Sequence, residues 1–169
     1  MKETIQEAMN AQIQEEFASA YLYLGMAGYA DSQNWQGMGH WLRLQWQEEL
    51  FHAQKLFDFL LKRGGKVKLS SIPAPKTDFG APLALFEEVL AHEQHITASI
   101  HSLYALAVKE HDYPLQTLLH WYIQEQVEEE DNATQIIEKF RLVGDTGPNL
   151  YLIDQELKQR QLGTEEATA

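Results

Sequence analysis

Four glutamates and one histidine stand where a helical sequence would otherwise be apolar, and side chains of these types can together hold a hard metal ion. Read at a 3.6-residue period, one stripe runs Met9, Ile13, Glu16, Ala20, Tyr23, Ala27, and a second runs Met38, Leu42, Gln45, Glu49, His52, Leu56, Phe59. A third runs Leu83, Phe86, Leu90, Glu93, Thr97, Ile100, Tyr104, and a fourth Leu118, Tyr122, Gln126, Glu129, Ala133, Ile136, Phe140. Glu49 and His52 are three residues apart and so share one helix face. A single buried glutamate is most often a satisfied core group, and a lone Glu-x-x-His pair is weak evidence. Four carboxylates at one level reverse those odds. Glu16, Glu49, Glu93 and Glu129 each lie about 11–15 residues from a helix start, so a common rise of about 1.5 Å per residue brings them to similar heights. Unpaired, each would cost several kcal/mol to bury, whereas a metal cation neutralises the group and replaces the lost hydration. Histidine and carboxylate ligands with open positions suit iron or manganese, and zinc can compete by affinity without doing redox chemistry.

The elements that must position these residues are four long helices, predicted at 3–31, 35–64, 82–111 and 114–144, with a short fifth near 149–160. Turn chemistry separates them: Asp31-Ser32-Gln33-Asn34, Gly64-Gly65, the stretch from Pro73 to Pro82, Asp112-Tyr113-Pro114, and Gly144 to Asn149. Strand-type alternation is absent. The first and third connections are short and make antiparallel hairpins. Residues 65–81 can span about 55 Å when extended, against about 45 Å for a 30-residue helix. One long crossover therefore makes the second and third helices parallel, giving an all-α bundle of the ferritin-like topological class. A single domain over residues 1–160 and a flexible tail at 161–169 are expected. Gly25 and Gly28 inside the first helix each cost about 1 kcal/mol relative to alanine. Close approach of another helix is the expected reason.

Composition narrows the chemistry. The 169 residues carry 13 Lys and Arg against 25 Asp and Glu, a formal net charge of −12 that opposes nucleic-acid binding and favours cations. There is no cysteine, which excludes disulfides, iron–sulfur clusters and thiolate metal sites. The amphipathic start and the lack of a long apolar run predict a protein without a membrane span, in the cytoplasm.

Glu16, Tyr23, Glu49-Leu50-Phe51-His52, Glu93-Gln94-His95 and the run from Trp121 to Glu130 together resemble the bacterial non-haem ferritins, over residues 1 to 160. The resemblance implies iron storage and detoxification by a ferroxidase that oxidises Fe(II) with O2 or H2O2. It implies a homo-oligomeric octahedral shell, for which that point group requires 24 copies, with the fifth helix near the four-fold axes. By resemblance, Glu16 and His52 hold one iron, Glu49 bridges, and Glu93 and Glu129 hold the other. Gln126 stands beside them as a hydrogen-bonding neighbour, and Tyr23 as a hydrogen-bond partner or one-electron donor. Gln126-x-x-Glu129 replaces the second Glu-x-x-His of bacterioferritins and rubrerythrin-like proteins. Leu50 stands where bacterioferritins place a haem-ligating Met, so no haem is expected. Two positions depart from the family: Val127 replaces a frequent His, and Gln116 and Leu119 align with the acidic pair of the three-fold channel in animal ferritins. The route by which iron arrives is left open.

A third iron position is expected beside the pair, bordered by Glu48, Glu125 and Glu128 with Glu129. Glu48 is one residue from Glu49, about 100° around its helix, and Glu125 stands three and four residues before Glu128 and Glu129. The alternative for these groups is an acidic patch that only concentrates cations. His92, His95, His101, His111 and His120 are read as solvated or hydrogen-bonded, not as ligands. Three other functions compete: a di-iron peroxidase, marked by sustained turnover with a reductant; a helical interaction protein, marked by no bound iron; and a DNA-protecting miniferritin, whose site normally lies between subunits.

Overall fold

The computed structural model describes residues 1–163. It consists of α1 (Glu3–Ser32), α2 (Gln36–Lys62), α3 (Pro82–Lys109), α4 (Tyr113–Val143) and α5 (Gly147–Leu157), with no strand among the described residues. The tail expected at 161–169 lies, from residue 164 onward, outside the described residues. α4 and α5 begin earlier than expected because Pro114 and Pro148 sit in their first turns. A proline there loses no helical hydrogen bond. The turn before α4 is made by His111 at φ 54°, followed by Asp112, whose side chain accepts the Leu115 N–H and caps the helix.

α1 packs on α2 and α3 on α4, as the short connections require. Between the hairpins, Tyr23, Glu15 and Gln12 of α1 meet Glu93, His95 and Ser99 of α3, so residue numbers fall on one helix as they rise on the other. Gln45 and His52 of α2 likewise meet Glu129 and Tyr122 of α4. Both cross-pairs are antiparallel. α2 and α3 are therefore parallel, as the long crossover predicts.

The crossover is seated along α1 by a ladder of polar side chains. Gln6 Oε1 accepts the Lys66 N–H at 2.8 Å, Asn10 Oδ1 accepts the Lys68 N–H at 2.6 Å, and Gln14 Nε2 donates to the Ser71 carbonyl at 3.1 Å. These three residues recur every four positions, so they form one row on the helix. Further along, a Cβ on Gly25 would lie 2.8 Å from Pro75 Cγ, and Tyr29 Oη donates to the Gly80 carbonyl. The expected close helix approach is corrected on both counts: Gly25 admits the crossover rather than a helix, and Gly28 has nothing within 4 Å.

Two apolar clusters fill the bundle, one at each end. The first includes Met26, Met38, Leu42, Phe86, Val89, Ala133 and Phe140, and the second Ile5, Met9, Ile13, Leu56, Ile96, Ile100 and Leu119. On every long helix the stripe passes from one cluster to the other through polar residues. These are Glu16 on α1, Gln45, Glu49 and His52 on α2, Glu93 on α3, and Gln126 and Glu129 on α4, all buried. These residues form a polar belt around the middle of the bundle, at the common height expected from the sequence.

Candidate metal centre

Within the belt, Glu16, Glu49 and His52 each offer a ligand atom within 4.8 Å of the others'. His52 Nδ1 lies 3.6 Å from Glu49 Oε2, the geometry expected of an i, i+3 pair facing inward. Glu16 Oε1 accepts from Gln12 Nε2 at 2.8 Å, and Glu129 Oε2 accepts from Gln45 Nε2 at 2.9 Å. Glu93 is held by Tyr23 Oη and by Gln126 Nε2, the latter 3.1 Å from Oε2. Tyr122 Oη donates to the His52 carbonyl at 2.7 Å, fixing the backbone that carries the imidazole. Glu16 Oε2 and Glu49 Oε2 are buried without a donor among the described residues. Each of the two carboxyls thus keeps one oxygen for a cation.

The electrostatics state the same demand. Burial first, and then the charge of Glu49, pushes the Glu16 carboxyl up to about 8. Burial and Glu93 push Glu129 up to about 7. Glu49 is raised well above the carboxylate range by burial and by Glu93 and Glu129, and burial raises Glu93 as well. Without metal the belt keeps protons that a cation must displace. Loading the protein with Co2+ is therefore expected to release protons at about pH 6.5 and fewer at about pH 9, where Glu16 and Glu129 are already ionised. Calorimetry in buffers of different ionisation enthalpy measures this, and equal release at both pH values would contradict the buried-acid picture.

The other expected site residues fall around this centre. Tyr23 is fully buried, donates to Glu93, and packs edge-on against His92 with ring centroids 5.8 Å apart. Tyr23→Phe keeps the ring and removes the donor, so we expect a loss of about 1 kcal/mol of stability, read by thermal unfolding. Any tyrosyl signal seen by freeze-quench resonance during iron oxidation should vanish with it, and an unchanged signal would return Tyr23 to plain packing. Glu48 is buried and accepts from Arg160, Glu125 is half-buried, and Glu128 is exposed. Val127 points outward at 70 % exposure, so its departure from the family removes no belt residue. Leu119 is fully buried in the subunit core, and Gln116 Nε2 donates to the Ala107 carbonyl. His92 and His95 bond Ser19 and Glu15, in keeping with hydrogen-bonded rather than ligating roles.

Sequence reasoning passed over Gln12, Gln45, Thr97 and Arg160. Gln12 was findable, since it stands four residues before Glu16 and reaches it across one helical turn. Thr97 and Gln45 lay on the inward stripes, and they bond Gln126 and Glu129. Arg160 is 112 residues from Glu48, and no local pattern announces the pair.

A parallel-crossover helical bundle with a buried belt of carboxylates and one histidine defines a ferritin-like protein. The ferritin-like domain matches residues 6–143. The bacterial non-heme ferritin of Bacteroides fragilis (strain 638R) is 39% identical over 160 residues, covering 95% of this chain and 99% of the relative. That of Staphylococcus haemolyticus (strain JCSC1435) is 37% identical over 159 residues, 94% and 96% of the two chains. An engineered closed form of the Archaeoglobus fulgidus ferritin superposes with a TM-score of 0.94 at 47% identity, covering 96% and 99%. The open-pore ferritin of the same archaeon gives 0.93 at 48%, covering 95% and 99%. The chain belongs to the ferritin family, and its function is iron storage.

Proposed function

We propose that this chain is a ferroxidase subunit that oxidises Fe(II) within its own bundle and passes the ferric product to a mineral inside a shell of 24 copies. One observation carries the reading: the two buried carboxylate oxygens of Glu16 and Glu49 that lack donors, converging with His52. Glu16, His52 and Glu49 would hold one ferrous ion and Glu49, Glu93 and Glu129 the other, with iron as substrate rather than resident cofactor. Carboxylates favour ferric over ferrous charge, and a single imidazole leaves positions open for the oxidant. Two ferrous ions give up one electron each. Dioxygen taking both electrons with two protons becomes hydrogen peroxide, and hydrogen peroxide taking them with two protons becomes two waters. The protein's part is placement: Gln12, Gln45 and Gln126 aim the carboxylates, and Tyr23 fixes Glu93.

Assembly is supported by apolar side chains left on the outside, among them Tyr21 and Leu24 on α1 and Tyr151 and Leu152 on α5. No helix among the described residues is long and apolar enough to cross a membrane, which supports a cytoplasmic location. Particle mass and iron oxidised per subunit, measured on one purified sample, test the proposal together. A hollow-shell mass with fast oxidation of two irons per subunit is expected. A small particle that oxidises no iron would overturn it, and sustained turnover with a reductant would favour the peroxidase instead.

A further inference from the structure

Past α5 the chain turns back onto α2. His40 Nε2 and the Arg160 carbonyl are 2.9 Å apart, and the Arg160 guanidinium lies 4.5 Å from the Trp41 ring centroid. Its Nη1 reaches the Trp41 carbonyl at 3.4 Å, and its Nη2 donates to Glu48 Oε2 at 2.7 Å. The pair is well sheltered, the side chains being 18% and 9% exposed. A sheltered ion pair repays its desolvation only with good geometry and further bonds, which the Trp41 ring and carbonyl supply. The same guanidinium acts electrostatically on Glu129, holding down the rise that burial imposes there. In a chain of net charge −12, a cation is thus built in beside the belt, on the carboxylate that precedes Glu49.

We propose that Arg160 is a positioning residue that holds Glu48 already neutralised, so that a metal ion moving from the buried pair to Glu48 must displace the guanidinium. This rests on the reading of Glu16, Glu49, His52, Glu93 and Glu129 as a ferrous-ion site, with Glu48 part of the third position expected beside it. The C-terminal segment then sets how tightly the position beside the pair holds iron. Occupancy there is a competition between one fixed monovalent cation and one mobile divalent ion. An ion that wins only weakly is also released readily, which keeps the position a way station instead of a trap.

Co2+, which needs no oxidation to bind, is the probe, titrated by calorimetry into the full assembled protein. The wild type should bind two ions tightly and a third weakly per subunit. Arg160→Gln should tighten the third by about tenfold or more, the scale of one lost charge-assisted hydrogen bond, and shift the first two far less. Arg160→Lys keeps the charge but loses the planar fork, so an intermediate affinity is expected. It decides the matter alone if the Gln variant does not assemble. Adding Glu48→Gln to Arg160→Gln should abolish the gain. A third affinity equal in all the Arg160 variants overturns the proposal while leaving the two-ion reading intact, and the absence of a tight pair in the wild type overturns both.

Discussion

Glu49→Gln is expected to slow rapid Fe(II) oxidation by at least about 100-fold while raising the stability of the metal-free protein. Glu49 shares a ligand group with Glu16 and His52 and also feels the charges of Glu93 and Glu129, so in the proposed site it is the carboxylate that would serve both ions. Even residues that only orient ligands cost about 10–100-fold when lost, and a bridging ligand should cost more. His52→Ala should behave alike in the kinetic assay. Near-normal oxidation in both variants would sink the assignment. The stability gain has a separate cause. Burial and the charges of Glu93 and Glu129 oppose ionisation of Glu49, and a neutral amide carries no charge to oppose. The pH dependence follows from its sign. The folded chain keeps the Glu49 proton well above the ordinary value of 4.5, whereas the unfolded chain loses it there. The folded state therefore binds more protons, and its stability falls as pH rises from about 4.5 upward. Gln does not titrate, so the advantage of the variant should widen between about pH 5 and pH 8. Thermal unfolding midpoints across that range, without metal, measure it. A variant less stable than the wild type at high pH would mean that the belt's charges are better compensated than described.

The second large effect concerns Gly37. A Cβ there would lie 1.6 Å from the Asp154 carbonyl oxygen and 2.6 Å from its carbon, both backbone atoms that cannot swing aside. α5 is thereby brought close enough for Asp154 Oδ1 to accept the Met38 N–H at 2.9 Å, capping α2, whose own preceding residue, Trp35, provides no side-chain cap. Gly37→Ala must push α5 away, and overpacking of this kind costs about 1–3 kcal/mol or more. Asp154→Ala removes only the cap, at about 1 kcal/mol. The glycine variant should therefore be the less stable of the two and should be cut by protease after Val143 at far lower enzyme levels. Equal proteolysis of the two variants would show that α5 docks through its side chains alone.

How much of this was legible in the sequence depends on the length scale of each feature. The belt was readable because Glu16, Glu49, Glu93 and Glu129 interrupt strongly periodic apolar stripes, and because one helical rise applies to all four helices. The crossover's length was readable, but its seat was not. Gln6, Asn10 and Gln14 look like an ordinary solvated face until the Lys66–Ser71 backbone is laid over them. Gly37 reads as a helix-weakening residue, and only the distant Asp154 gives it a reason. The Glu48–Arg160 pair is of the same kind: each partner alone is an unremarkable charge.

The division of the interior into two apolar clusters with the belt between them bears on how the bundle comes apart. Hydrophobic burial is concentrated toward the ends, with Phe86 against Phe140 in one cluster and Ile5 and Leu56 in the other. The middle, where the buried carboxyls raise one another's proton affinity, is expected to act as a seam between two cooperative units. Metal bound at that seam would tie them into one, so that the cargo doubles as a rivet and an iron-starved subunit is the looser object. A shell built from such subunits would breathe most when it is empty and stiffen as it fills.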